Sequence, residues 1–221
     1  MTKLTNLDFK NIFDSIAENY DKISNDYTVN RRIESLQTKK NGLVLEVGAA
    51  TGAITKNLKN IVICTDISFN MCRQTKIKRE NVVCCDAEML PFKLEQFDAI
   101  ISAEMIYYLD KPQKFLEDSY LLLKKNGEIL ISMTNSKMNF VDKVRTKLRK
   151  CGLSKMYFDD GLKNFMKIET LKLFLEKQNF NVESIEKKVI LPYTFFDKVN
   201  SFFEKTMLTR FGIFIIIKAK K

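Results

Sequence analysis

Short apolar runs alternate with stretches of helical periodicity along most of this chain. Leu7, Phe9, Ile12, Phe13, Ile16 and Ala17 recur at three- and four-residue intervals, which predicts a helix over residues 7–19, and a second helix follows over 28–39. Leu43-Val44-Leu45-Glu46-Val47 reads as a buried strand, with a helix predicted over 51–58. Further strands are predicted at 61–65, 81–85, 97–102 and 128–133, with helices at 69–78 and 110–124. Strands this short and this continuously apolar, separated by helices, belong to an open parallel sheet covered on both faces.

Residues 136–167 break the rhythm. They are basic, aromatic and irregular, and an inserted cap is expected there. Regularity returns with a helix at 167–178, a strand at 182–190, a helix at 194–207 and a strand at 213–218. The expected fold class is therefore α/β and Rossmann-like. One domain carries a seven-stranded, mostly parallel sheet, its last strand antiparallel, with helices on both faces and a small cap. In this division residues 1–40 form an N-terminal helical cap, 41–135 the ligand-binding core, 136–167 the inserted cap, and 168–221 the helices and strands that complete the sheet. A length of 221 residues suits a single domain.

Composition narrows the chemistry. The chain has no histidine, which excludes an imidazole base, a Ser-His-Asp triad and any histidine-ligated metal. Lys and Arg number 37 against 27 Asp and Glu, a net charge of +10. A basic surface attracts nucleic acid, anionic lipid or acidic metabolites, but no arginine-rich run appears. The densest basic stretch, residues 143–150, reads as a solvated helix face. The five cysteines, Cys64, Cys72, Cys84, Cys85 and Cys151, are odd in number and contain no Cys-x-x-Cys pair. That excludes a disulfide framework, and Cys64, Cys84 and Cys85 are expected to be buried, reduced thiols. The first residues hold no apolar signal core, and the apolar run at 213–217 is too short to cross a bilayer. A cytoplasmic location and no metal are expected.

The segment Glu46-Val47-Gly48-Ala49-Ala50-Thr51-Gly52 lies where an open α/β sheet binds its ligand, beyond the carboxyl end of the first strand. Asp66 closes the second strand, where an acidic side chain can accept hydrogen bonds from both ribose hydroxyls of an adenosine-containing cofactor. Two cofactor classes compete. A dinucleotide fingerprint wants glycine at position 50 so that backbone can approach a pyrophosphate, and this chain has Ala50. S-adenosylmethionine needs no such cradle and uses an acid before the first glycine for its ammonium end, which Glu46 supplies.

Three later segments favour the second class. Cys85-Asp86-Ala87-Glu88-Met89-Leu90-Pro91-Phe92 follows the third strand, and Phe97-Asp98-Ala99-Ile100-Ile101-Ser102 opens the fourth, followed by Tyr107-Tyr108. Leu121-Leu122-Leu123-Lys124-Lys125-Asn126-Gly127-Glu128 leads into the fifth. In this order and at these intervals the chain resembles the class I S-adenosylmethionine-dependent methyltransferases of the type 11 group, over roughly residues 10–135. Phe13-Asp14-Ser15-Ile16-Ala17-Glu18-Asn19-Tyr20-Asp21 is similar to the first helix of the quinone-biosynthesis C-methyltransferases and of the malonyl-acyl carrier protein methyltransferase.

The resemblance implies that Glu46, Gly48 and Gly52 line the methionine part of the cofactor, Asp66 the ribose, and Asp86 and Ala87 the adenine. It sets Ser102 and Glu104 beneath the sulfonium. Tyr20 and Arg32 fall where such enzymes close over the cofactor; Arg32, or Arg31 equally, is placed to meet its carboxylate. The chain departs from the pattern at Ala50 and Asn126, which replace glycines, and at Tyr107-Tyr108, which replace a frequent histidine pair.

Methyl transfer from a sulfonium is an in-line displacement, so positioning and water exclusion dominate it. Where a base is needed, the candidates are Glu104 and Tyr107, or water held by either; Glu104 reads equally as a residue that orders its loop. Phe140, Met156, Tyr157, Phe158, Phe195 and Phe202 supply apolar surface for a small-molecule or lipid-like acceptor, such as a quinone or acyl thioester, approached at a membrane surface without a transmembrane segment. The same residues serve equally as core or cap packing. The alternatives are an RNA methyltransferase, a cofactor-binding protein without turnover, and a nicotinamide enzyme.

Overall fold

A computed structural model describes residues 5–135, 166–188, 197–204, 206 and 212–221. Of the expected cap at 136–167, all but residues 166 and 167 lies outside the described residues, its basic stretch and aromatic residues included, as do Cys151, Phe195, and the ends of the strand and helix predicted at 182–190 and 194–207.

Seven strands form one sheet in the order β3-β2-β1-β4-β5-β7-β6. They are β1 (Leu43–Val47), β2 (Ile61–Asp66), β3 (Asn81–Cys84), β4 (Phe97–Ala103), β5 (Leu123–Thr134), β6 (Asn181–Lys188) and β7 (Phe214–Lys220). β1 pairs in parallel with β2 and β4, and β4 with β5, whereas β7 runs antiparallel between β5 and β6. The expected seven-stranded sheet with an antiparallel last strand is what the structure contains. Its edges are blunted in two ways: β3 has only four residues, and β6 carries Glu183, Glu186, Lys187 and Lys188.

The period-2 alternation sorts the strands onto two cores. Leu45, Val47, Ile100, Ile129, Ile131, Ile215 and Ile217 pack with Phe115, Leu116, Leu171 and Leu175 of helices α5 (Pro112–Leu122) and α6 (Ile168–Lys177). Val44, Val62, Cys64, Ala99, Ile101 and Phe214 pack on the other face beneath Tyr27 and Leu36. Tyr27 belongs to α3 (Asp26–Ser35), which an Asn25 side chain caps by accepting from Thr28 N at 2.9 Å. The helix predicted at 28–39 thus starts earlier and ends earlier. The one predicted at 7–19 is α1 (Asn6–Ile16), held by a Thr5/Asp8 capping box, then a 3-10 turn and the short α2 (Tyr20–Ile23). Helix α4 (Phe69–Lys78) has the predicted limits, and α7 covers Asp197–Phe203.

The expected helix at 51–58 is corrected to a series of turns. Ala50 (φ 48°) and Gly52 (φ 70°) both adopt left-handed backbone, which no continuing helix permits. The Thr51 and Thr55 hydroxyls are taken by Asp21 and Glu46. β5 begins at Leu123, five residues before the predicted start, because Asn126 takes a left-handed turn (φ 63°) and the chain stays paired through a register shift. Asparagine tolerates that conformation better than other side-chain-bearing residues.

A methyl group on Gly48 (φ 71°) would stand 2.5 Å from Met105 Cγ. Gly48→Ala is therefore expected to cost about 2–4 kcal/mol, combining the left-handed penalty with overpacking. Ala50→Gly is expected to gain about 0.5–1 kcal/mol, as relief of left-handed strain exceeds the extra chain entropy. Urea unfolding of both variants checks this, and a less stable Ala50→Gly protein would contradict the strained-loop account.

Candidate cofactor site at the carboxyl edge of the sheet

Strands β1 to β4 all end on one edge, and the expected site residues converge there. Glu46 is the penultimate residue of β1 and is almost fully buried. Its Oε2 accepts the Thr55 hydroxyl at 2.6 Å and the Cys64 thiol at 3.5 Å. Its Oε1 is buried and has no donor among the described residues. Burial pushes the carboxyl up to about 7, against the pull of the Thr55 and Cys64 hydrogen bonds and the Arg79 charge. Arg79 is in turn fixed by Thr55 Oγ1 at 3.1 Å, to which it donates.

Asp66 ends β2. Its Oδ2 accepts Ala50 N at 2.8 Å and its Oδ1 accepts Ser68 N at 2.9 Å. Burial raises this carboxyl to about 6, and the Asp14 charge adds to the rise while the loop amides oppose it. These amide bonds explain the loop's shape. The Ala50 N–H reaches Asp66 only because Gly48 and Ala50 turn with positive φ, and Ala49 N bonds Thr65 O at 2.9 Å on the way.

Asp86 and Ala87 follow β3. Asp86 Oδ1 accepts Glu88 N at 2.9 Å, closing a tight turn, and Ala87 is buried beneath it. Ser102, the penultimate residue of β4, is fully buried, with an Oγ that has no partner among the described residues.

The N-terminal segment ties these three loops together. Asn6 Nδ2 donates to Asp86 Oδ2 at 3.3 Å. Asp14 Oδ1 accepts Ser68 Oγ at 2.5 Å and Asn70 N at 3.0 Å. Asp21 Oδ1 accepts Thr51 Oγ1 at 2.5 Å, and its other oxygen pairs with Lys78 at 2.5 Å. Phe9 and Phe13 meet the Tyr108 ring edge-on at 4.8 and 5.3 Å, and Phe13 also meets Tyr20 at 6.4 Å. Asn6, Asp14 and Asp21 were given no role on sequence grounds. Their signal was present, since Asp14 and Asp21 fall inside the quoted first-helix segment.

A second cluster lies just past β4. Glu104 has left-handed backbone (φ 57°) and accepts three hydroxyls, Tyr107 OH at 2.9 Å, Ser132 Oγ at 3.0 Å and Thr134 Oγ1 at 2.7 Å, and it forms an ion pair with the Arg32 guanidinium, whose Nε lies 3.5 Å away. Arg32 also lies over the Phe214 ring at 5.2 Å. Arg31 turns elsewhere, to Glu34 and Glu204, each at 2.9 Å. Of the two arginines, Arg32 is the one directed at this cluster.

The structure corrects one expectation about the cysteines. Cys64 is buried as expected, but Cys84 is exposed and Cys85 half-buried. β3 is an edge strand, so its last residue has no sheet neighbour on one side to cover it.

Strand order, the antiparallel β7 and an acid-lined edge at β1–β3 define a class I, Rossmann-like methyltransferase fold. A family model described as a methyltransferase domain matches residues 45–131. A protein of Methanocaldococcus jannaschii is 30% identical over 96% of this chain and 90% of its own length. A methyltransferase of Alkaliphilus oremlandii with no assigned substrate is 32% identical over 58% of this chain and 68% of its own. Another M. jannaschii relative, 34% identical, is matched over 61% of its length. Among solved structures, an S-adenosylmethionine-dependent methyltransferase of Thermotoga maritima superposes with a TM-score of 0.71 at 20% identity, covering 96% of this chain and 99% of the other. The chain belongs to the class I S-adenosylmethionine-dependent methyltransferases. No helix among the described residues is long and apolar enough to cross a membrane.

Because its folded pKa is raised, Glu46 contributes most to stability below the unfolded value near 4.5, and that contribution is lost as pH rises through about 7. Glu46→Gln removes the titration. Its stability relative to the unmodified protein is expected to rise by roughly 2–3 kcal/mol between pH 4.5 and 8, read from urea midpoints at both pH values. A pH-independent difference would show that Glu46 is not held protonated.

Proposed function

We propose that the carboxyl edge of β1–β4 binds S-adenosylmethionine and presents it to a small or lipid-like acceptor. The observation that carries this reading is the buried Glu46 Oε1 beside the Gly48–Gly52 turn, an acceptor without a donor among the described residues. A carboxylate oxygen so placed suits an ammonium group, and burial strengthens its preference for a cationic partner. Asp66 keeps lone pairs beyond the two amides it accepts, and these suit the ribose hydroxyls. Asp86 with the Ala87 backbone suits the adenine edge, and the Ser102 Oγ, without a partner among the described residues, suits a polar group above β4. When bound, the cofactor supplies an electrophilic methyl group. The chain's own part is to orient it, exclude water and hold the acceptor in line. The N-terminal segment supports the water-excluding role, because it covers all three loops and brings Phe9, Phe13 and Tyr20 with it.

Glu104 and Tyr107 are proposed to serve the acceptor side. The Tyr107 proton is directed at Glu104, and both Glu104 oxygens already accept, so the pair is better suited to fixing the β4 turn and Arg32 than to removing a proton. Arg32 is then held back from the cofactor carboxylate unless it leaves Glu104. A quinone-like acceptor finds support in a ubiquinone biosynthesis O-methyltransferase of Coxiella burnetii, 29% identical over 112 residues. That match covers 47% of this chain and 48% of the relative, so the acceptor class extends beyond what it carries.

Calorimetric titration with S-adenosylhomocysteine, S-adenosylmethionine and NAD tests the reading. Saturable binding of both adenosyl ligands and none of NAD is expected. Asp66→Ala is expected to weaken it about 10–100-fold, the loss of one charge-assisted hydrogen bond. Preference for NAD, or indifference to Asp66→Ala, would overturn it.

A further inference from the structure

The chain changes faces of the sheet as it leaves β4. Side chains two apart on a strand share a face, yet Ala103 packs with the core of Ile101 and Phe214, whereas Met105 belongs to the core of Val47 and Ile100. The left-handed backbone of Glu104 (φ 57°) makes this exchange. A residue with a long side chain holds that conformation only where its surroundings over-determine it. Here the Glu104 carboxylate is held by the Tyr107, Ser132 and Thr134 hydroxyls and by Arg32, and the Glu104 N–H donates to Ser132 O at 2.9 Å. What the turn delivers is Met105, which is buried. A methyl group on Gly48 would stand 2.5 Å from Met105 Cγ and 2.8 Å from its Cβ, so Met105 fills the space against the first glycine of the β1 loop. Beyond Gly48 the loop is fixed by Ala49 N on Thr65 O and by Ala50 N on Asp66 Oδ2. An unbroken series of contacts thus runs from Arg32 on α3 through Glu104 and Met105 to the amide that holds Asp66.

We propose that Glu104 is a positioning residue for the cofactor loop: its anchored carboxylate seats Met105 against Gly48 and so holds the loop amides and Asp66 in the geometry that binds. The effect on binding rests on the reading of this edge as the S-adenosylmethionine site. In this role Glu104 acts through Met105 and not through its charge on the sulfonium. The cluster past β4 and the helix α3 that carries Arg32 therefore govern affinity at a loop they do not touch. Coupling along such a series is established by non-additivity between its members, since spatial contact alone does not demonstrate it.

The test is a double-mutant cycle of Glu104→Ala and Met105→Ala in the full chain. It is read by calorimetric titration with S-adenosylhomocysteine, whose sulfur is neutral, and S-adenosylmethionine, whose sulfur is cationic. Each single variant is expected to weaken both ligands about tenfold, and the double variant little more than either, because both break the same link. Glu104→Gln, whose amide still bonds the surrounding hydroxyls, is expected to retain most of the affinity for both. Additive losses, or no loss in Glu104→Ala, overturn the proposal. So does a Glu104→Gln protein that loses S-adenosylmethionine selectively, the pattern of a charge acting directly on the sulfonium. Amide hydrogen exchange separates the effect from general loosening. The Ala49 and Ala50 amides are expected to exchange faster in both Ala variants while those of α6 do not, and equal acceleration of both regions, or of neither, overturns the link. If the unmodified protein binds neither ligand, the binding reading falls, and hydrogen exchange still decides whether Glu104 holds the loop.

Discussion

Removing two carboxylates from water at the ends of β1 and β2 is the constraint on which the rest of this site depends. Glu46 and Asp66 are each pushed upward by burial, to about 7 and about 6, and a buried carboxylate persists only if nearby donors offset its lost hydration. The Thr55 hydroxyl, the Cys64 thiol and Arg79 do this for Glu46, and the amides of Ala50 and Ser68 do it for Asp66. Supplying the Ala50 amide forces the left-handed backbone at 48 and 50. That turn, in conflict with helix formation, leaves residues 51–58 as turns. One electrostatic demand thus shapes the loop, its strain and its missing helix.

The N-terminal segment extends the same logic. Asn6, Asp14 and Asp21 each bond one of the loops that follow β3, β2 and β1, so the cap is tied to the acids it covers. Asp14 also raises the Asp66 carboxyl through like charge. The cap and the strand ends therefore share one charge balance, which a cationic ligand at Glu46 would relieve. Glu104 and Arg32 repeat the pattern past β4, where a strained backbone places a carboxylate among three hydroxyls and a guanidinium.

Much of the architecture was legible in the sequence, because strands buried on both faces leave short, continuous apolar runs between turn residues. The limits of α4 and β1, and the order of acids at 46, 66 and 86, needed no tertiary information. What failed depended on partners distant in sequence. The 51–58 segment has helix-compatible residues, but its threonines are claimed by Asp21 and Glu46. β5 extends back to Leu123 because Asn126 takes a conformation expected of glycine. Cys84 is exposed because β3 is an edge, a fact of strand order that local hydrophobicity does not encode. Which of Arg31 and Arg32 faces the site followed only from Glu204 claiming the first.

The most direct test of the account is the number of protons exchanged when S-adenosylhomocysteine binds at pH 6.5, obtained by calorimetry in buffers of different ionisation enthalpy. If Glu46 is held partly protonated and ionises to meet the ligand's ammonium group, binding releases protons, and Glu46→Gln abolishes most of that release. Binding without proton release, or release unchanged in the Gln variant, would contradict the claim that this buried carboxylate receives the cofactor.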